Sequence, residues 1–138
     1  WLGRFEHVDG AYEFRCPNPD HPTAKASARQ GERLLKSLSS ALEDDPSVGE
    51  VRGLGLMVGV ELVADRSSRT PFARERQATE RVVAAARDAG LLLYSSTGHV
   101  DGRDGDLVML GPPFVISDDE CDLVVERTAA AIASLRTA

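Results

Sequence analysis

Apolar residues recur at helical spacing in three stretches of the chain. In residues 23–45, alanines and leucines alternate with charged side chains, which predicts an amphipathic helix with one buried face. Pro46 disfavours helical geometry in the preceding residue and ends this helix. A second amphipathic helix is predicted over residues 72–89, and Gly90 is placed to cap its C-terminus.

The third helix is predicted to begin directly after Ser117. Ser117 and Glu120 have the Ser-x-x-Glu spacing of a capping box, in which each side chain accepts a hydrogen bond from the backbone amide of the other residue. The buried face of this helix would contain Cys121, Val124, Val125, Thr128, Ile132 and Leu135.

The segments between the helices have the composition of strands. Residues 48–63 are rich in branched side chains and contain four glycines, which predicts strands with a bend or a β-bulge. Shorter strands are predicted over residues 91–94 and 107–110, and the glycines and aspartates of residues 95–106 predict a polar, mobile loop between them. This order predicts an α+β fold, in which a small, mainly antiparallel sheet has helices packed on one face.

Residues 1–23 have no regular pattern. Glycines and prolines interrupt scattered aromatic residues, which predicts an irregular N-terminal arm, and the folded domain is predicted over residues 24–138. The chain of 138 residues has the length of one ordinary domain. Because it begins with Trp1 rather than methionine, we expect it to be a piece of a longer protein or a processed chain.

The charge balance argues against two classes of partner. The chain has 22 acidic and 16 basic residues, and its formal charge of −6 disfavours nucleic acid or an anionic membrane surface as the main partner. No apolar run approaches the roughly 18 to 20 residues of a membrane span, so no membrane insertion is predicted. Cys16 and Cys121 lack the paired spacing of a disulfide framework or zinc motif, and we expect a reducing cytoplasm as the location.

The side chains that usually carry catalysis fall at unpromising positions. His7, His21 and His99 lie in irregular segments, where they could be ligands, acid–base groups or surface residues, and we favour the surface interpretation. Cys121 is on an apolar helix face and is predicted to pack as a small hydrophobic residue. No metal site and no catalytic residue are assigned.

The glycine-rich segments offer one candidate for ligand binding. Residues 51–59 lack the lysine of a phosphate-binding loop and the spacing of a dinucleotide site, so we favour a bulged strand pair that another segment approaches closely. Residues 101–106 lack the distal glutamate of a calcium loop. Arg103 in this loop could form a bidentate pair with the carboxylate of a substrate, and the alternative is an ordinary solvated arginine.

Several motifs keep their order and approximate separation over residues 24–138. They are the glycine-rich stretch of residues 46–62, Gly90-Leu91-Leu92, Gly105-Asp106, and Gly111-Pro112-Pro113-Phe114-Val115-Ile116-Ser117 followed by Glu120. In this order they resemble the class III pyridoxal-phosphate-dependent aminotransferases. The resemblance implies the C-terminal small domain of a fold-type-I enzyme, which closes over an active site formed mainly by a large domain and a dimer mate.

The resemblance also implies what this chain lacks. In that family a lysine of the large domain holds pyridoxal phosphate, whereas Lys25 and Lys36, the only lysines here, are predicted on the exposed face of the first helix. We therefore expect no cofactor on this chain alone. Amine:pyruvate-type members have a mobile arginine just before the Gly-Asp pair, a position similar to that of Arg103, and Met109 replaces an arginine found in ornithine-type relatives.

Two functions follow from the resemblance. In the first, the chain is the small-domain part of an enzyme that transfers an amino group between an amine or amino acid and a 2-oxo acid, and it is incomplete for catalysis alone. In the second, it is a non-catalytic binding or dimerisation module derived from that fold.

Overall fold

The computed structural model describes residues 22–137, with the side chains of residues 28–136. Helix α1 (Pro22–Ala41) begins two residues before the predicted domain boundary at Ala24. The remainder of the predicted arm lies outside the described residues.

The described residues form one antiparallel sheet and three α-helices. After α1 the elements are β1 (Val48–Leu54), β2 (Met57–Asp65), β3 (Thr70–Pro71), α2 (Ala78–Asp88), β4 (Tyr94–Thr97), β5 (Asp106–Leu110) and α3 (Asp118–Ala133). Short 3-10 helices occupy Arg74–Arg76 and Ser134–Thr137. The strand order is β1-β2-β5-β4, with β3 paired to β2, and every pair is antiparallel. The predicted α+β class is confirmed.

The hydrophobic core lies between the sheet and the helices. Val58, Val60 and Leu62 alternate along β2 and are completely buried, as is Val108 of β5. They pack with the apolar faces of the helices, among them the fully buried Leu34 and Leu38 of α1. Within residues 22–137, helices cover this face of the sheet only, as the sequence predicted.

Glycines allow a close approach between α1 and the β1–β2 hairpin. A register shift between Val48 and Glu50 confirms the predicted bulge, and Gly55 adopts a left-handed φ of 58° in the hairpin turn. A Cβ atom added to Gly31 of α1 would lie 2.7 Å from the Cα of Gly55. The glycines of residues 48–63 therefore serve strand geometry and close packing, as we favoured.

Polar side chains connect α1 to α3. The Gln30 amide donates to Asp118 Oδ1 at 2.7 Å and to the Ile116 carbonyl at 3.1 Å, and Arg33 Nη2 donates to Asp122 Oδ1 at 2.7 Å. These contacts fix the start of α3, where the predicted capping box between Ser117 and Glu120 is present. The loop before α3 is thereby held against α1.

The first helix ends at Ala41, within the predicted limit at residue 45, and the Asp45 carboxylate accepts from the Ser47 amide at 2.9 Å in the segment that follows. Two other predicted boundaries are wrong. Helix α2 begins at Ala78 rather than at residue 72, since Gln77 has a left-handed φ of 50° that separates it from the 3-10 helix at Arg74–Arg76.

The strand predicted over residues 91–94 is displaced toward the C-terminus. Residues 91–93 carry Leu93 into the core without pairing to another strand. Pairing begins at Tyr94, opposite Met109 of β5, and continues through Ser95, Ser96 and Thr97. The start of β4 is therefore set by its pairing with β5. The apolar composition of residues 91–93 had suggested an earlier start.

Candidate functional site

The loop between β4 and β5 carries Arg103, the predicted substrate-binding residue. Its base is closed by a hydrogen bond from the Gly98 amide to the Gly105 carbonyl at 2.8 Å. Gly105 has a φ of 103°, and a Cβ atom there would lie 2.9 Å from the Val100 amide nitrogen. This position therefore requires glycine, and the loop has a defined shape.

Asp101 organises the tip of the loop. Its Oδ1 accepts from the Arg103 amide at 2.9 Å and from the Asp104 amide at 2.7 Å. The hydrogen bonds from Asp104 and Arg103 lower the pKa of this carboxyl group. Among residues 22–137, no group of three or more His, Cys, Asp or Glu side chains could hold a metal ion. The Asp101 carboxylate instead accepts hydrogen bonds from backbone amides of the loop.

The guanidinium of Arg103 is exposed and already paired with a carboxylate of the same chain. Arg103 Nη2 contacts the Glu75 carboxylate, in the 3-10 helix before α2, and Arg103 Nε lies 4.0 Å from Asp104 Oδ1. The side chains of Arg103 and Glu75 are 67% and 68% exposed. The pKa of Glu75 is lowered by its own backbone amide and then by Arg103. The site can therefore hold a carboxylate within reach of solvent.

The loop is anchored to the start of α2. Asp104 Oδ1 accepts from the Arg74 amide at 3.1 Å. Asp106, which is only 3% exposed, accepts from the Thr79 amide at 3.1 Å and from the Thr79 hydroxyl at 2.7 Å. A carboxylate at the first turn of a helix also interacts favourably with the helix dipole. The Gly105-Asp106 motif therefore joins the loop to α2.

Sequence reasoning missed the partners of Arg103. Glu75 and Arg74 lie about 30 residues before the loop, and no spacing rule links a residue of one turn to a residue of another. Asp106 was singled out as part of the Gly-Asp pair, but its capping of α2 depends on the tertiary fold.

The other candidate side chains have structural contacts or lie outside the described residues, and His99 belongs to the same loop as Arg103. His99 is exposed, and its Nε2 lies 2.8 Å from the Ser96 hydroxyl. Cys121 is buried beside Gln30, as predicted, and burial raises the pKa of its thiol. His7, His21 and Cys16 lie outside the described residues.

The one lysine side chain that the structure describes is not in a pyridoxal phosphate site. Lys36 is exposed on α1, and the side chain of Lys25 lies outside the described part of the chain. The one buried side-chain nitrogen or oxygen without a partner in that part is Arg33 Nε, which belongs to the contact between α1 and α3.

Apolar side chains line the side of the sheet opposite the helices. Leu54 and Met57 face each other across β1 and β2, and Met109 and Tyr94 across β5 and β4. Leu54, Met57 and Tyr94 are 72%, 64% and 68% exposed. We call the surface formed by these four residues the open sheet face. Exposed apolar side chains gathered on one face are typical of interaction sites.

The helices are too short or too polar to cross a lipid bilayer, a finding that applies to residues 22–137.

The fold is shared with solved transaminase structures. An (S)-enantioselective omega-transaminase from Thermomicrobium roseum is similar with a TM-score of 0.71 and 36% sequence identity, over 82% of this chain and 23% of that one. An aminotransferase from Vibrio fluvialis, solved in its PMP-bound form, is similar with a TM-score of 0.72 and 27% identity, over 90% of this chain and 25% of that one.

Sequence comparison leads to the same family. The family model described as aminotransferase class-III matches residues 20–132. An uncharacterized aminotransferase of Bacillus subtilis, YodT, is 36% identical over 83% of this chain, and a taurine–pyruvate aminotransferase of Rhodobacter capsulatus is 36% identical over 79% of it. The chain belongs to the class III aminotransferases, a family that uses pyridoxal phosphate. It spans about a quarter of the length of these relatives, 26% and 23% respectively.

Proposed function

We propose that this chain is the small-domain part of a class III aminotransferase that transfers an amino group between an amine or amino acid and a 2-oxo acid. The observation that carries the proposal is the family match over residues 20–132. In the family that this chain resembles, a lysine of the large domain holds pyridoxal phosphate, and we place the cofactor and its lysine there. The chain alone then binds no cofactor and catalyses nothing.

Arg103 is the residue that binds the carboxylate of the substrate in this proposal. Its guanidinium is exposed on a loop whose shape is set by glycines and by Asp101. Guanidinium groups form strong charge-assisted hydrogen bonds with carboxylates, and the pair with Glu75 supports this geometry within the chain itself. The role of Arg103 is to bind and orient the acid group of an amino acid or 2-oxo acid.

The open sheet face is the surface that packs on the large domain. Exposed methionine and tyrosine side chains are enriched at protein interfaces. Gly59 lies between Arg52 and Met109 in the sheet, and because it has no side chain, a neighbouring domain can approach the sheet closely there. A dimer mate is also part of the proposal, because the family resemblance places the active site between two subunits.

The experiment that tests this function is a cofactor-binding assay on the 138-residue chain. The chain is incubated with pyridoxal phosphate, reduced with borohydride and analysed by peptide mass spectrometry, and transaminase turnover is measured with an amine and pyruvate. We expect no specific adduct and no turnover, whereas the complete gene product becomes yellow and turns over. A stoichiometric adduct on Lys36 that is lost in Lys36→Arg, or one on Lys25 that is lost in Lys25→Arg, contradicts the proposal.

A second function is a non-catalytic module that dimerises or binds a partner. The specific observation in its favour is the same open sheet face, which would be covered by another chain instead of a large domain. A complete gene product that stays colourless with pyridoxal phosphate, shows no turnover and forms a stable dimer would favour this second function.

A further inference from the structure

Glu75 and Arg103 are brought together by the fold and not by a flexible encounter of two surface side chains. Glu75 lies in the 3-10 helix at Arg74–Arg76, and the amide of Arg74 donates to Asp104, the neighbour of Arg103, at 3.1 Å. This backbone contact holds the two segments side by side. The ion pair between Arg103 and Glu75 therefore forms across an anchored junction.

The other acidic groups of this junction have structural tasks. Asp104 is committed to the Arg74 amide, and the Glu80 carboxylate accepts from Arg74 Nη1 at 3.0 Å. Asp106 caps α2. The Glu75 carboxylate, in contrast, accepts from its own backbone amide and from the Arg103 guanidinium, and it is largely exposed. Glu75 is thus the acidic group that can leave the arginine without disturbing the loop.

We infer that Glu75 is an internal competitor for the ligand carboxylate at Arg103, and hence a specificity-determining residue of the site. This inference rests on the proposed role of Arg103. A ligand carboxylate has to displace Glu75 or bind beside its negative charge. Either event lowers the affinity of the ligand for Arg103. An amine substrate without a carboxylate leaves the Glu75–Arg103 pair intact. Because an exposed ion pair contributes little, a ligand carboxylate can displace it.

The test is a titration of the 138-residue chain with pyruvate, followed by ¹⁵N NMR of the arginine Nε–Hε groups. Arg103→Lys identifies the Arg103 signal by its disappearance. The variant is Glu75→Gln, and the matched control is Glu50→Gln, which breaks a comparably exposed pair with Arg52 on β1 at the far edge of the sheet. Each dissociation constant is taken from the shift of the Arg103 signal.

We expect Glu75→Gln to bind pyruvate about two- to fivefold more tightly than the wild type, the range that exposed ion pairs supply, and Glu50→Gln to bind like the wild type. If the wild-type Arg103 signal shifts with pyruvate but Glu75→Gln binds no more tightly, this inference is wrong and the role of Arg103 stands. If the Arg103 signal responds in neither protein, the proposed carboxylate site itself is overturned.

Discussion

At the scale of single residues, Gly31 decides how closely α1 approaches the sheet. It lies in the middle of a helix, where glycine is less favourable than alanine by about 1 kcal/mol. The helix nevertheless needs glycine here, because a methyl group would meet the backbone of Gly55 in the hairpin turn. Packing therefore outweighs helix propensity at this position.

We expect Gly31→Ala to destabilise the chain by up to about 2 kcal/mol, since overpacking costs about 1–3 kcal/mol and the gain in helix propensity offsets about 1 kcal/mol. Urea unfolding followed by circular dichroism measures the change. Ser40→Ala, at an exposed position of the same helix, is the control and should leave the free energy of unfolding equal or slightly higher. A Gly31→Ala variant more stable than the wild type would show that α1 does not cross the hairpin this closely.

At the scale of elements, α3 illustrates what local sequence can predict. Its start depends on Ser117 and Glu120, which are three residues apart, and its buried face depends on helical periodicity. Both can therefore be predicted from the local sequence. β4 was misplaced because its limits depend on β5, and α2 because its start depends on Asp106. For the same reason the sequence located Arg103 but not Glu75.

The capping box of α3 makes stability depend on pH. Hydrogen bonds from the backbone amide and hydroxyl of Ser117 lower the pKa of Glu120, and the Gln30 amide, followed by Arg29 and Arg33, lowers the pKa of Asp118. Both carboxylates thus stabilise the folded state when ionised. That stabilisation is complete above their unfolded pKa values of about 4 and is lost as the pH falls through the lower folded values.

We therefore expect the free energy of unfolding to fall between about pH 5 and pH 3, and to fall less steeply in Glu120→Gln. Ser117→Ala should cost about 1 kcal/mol at neutral pH and should also flatten the profile, because Glu120 loses a hydrogen-bond donor. Urea titrations at a series of pH values measure both effects. Parallel pH profiles for the wild type and Glu120→Gln would rule out this contribution of the capping box.

At the scale of the whole molecule, the two sides of the sheet differ. One side carries the helices and the core, and the open sheet face exposes Leu54, Met57 and Tyr94. Among residues 22–137 no helix covers this face, and an exposed apolar sheet face is typical of a surface that packs on something else. The layer arrangement and the family membership thus lead to the same expectation of a neighbour.

We expect the isolated chain to associate with itself through the open sheet face as its concentration rises, and Met57→Lys to abolish this association. Light scattering coupled to gel filtration measures the mass. Leu123→Lys, a substitution of an exposed leucine on α3 at the helical side, is the matched control and should associate like the wild type. Equal masses for both variants at every concentration would show that this face is not an interface.

The contact between Asp106 and Thr79 fixes the end of the β4–β5 loop to α2 and so limits which movements of Arg103 are needed. Gly98 and Gly105 lie at the two ends of the loop between β4 and β5, and Asp106, the residue after Gly105, is fixed to α2. A rearrangement of Arg103 is thus confined to the loop and leaves the sheet and helices in place. Loops of this kind reorganise within nanoseconds to microseconds, so an exchange of one acid for another at Arg103 would be complete long before any movement of whole domains.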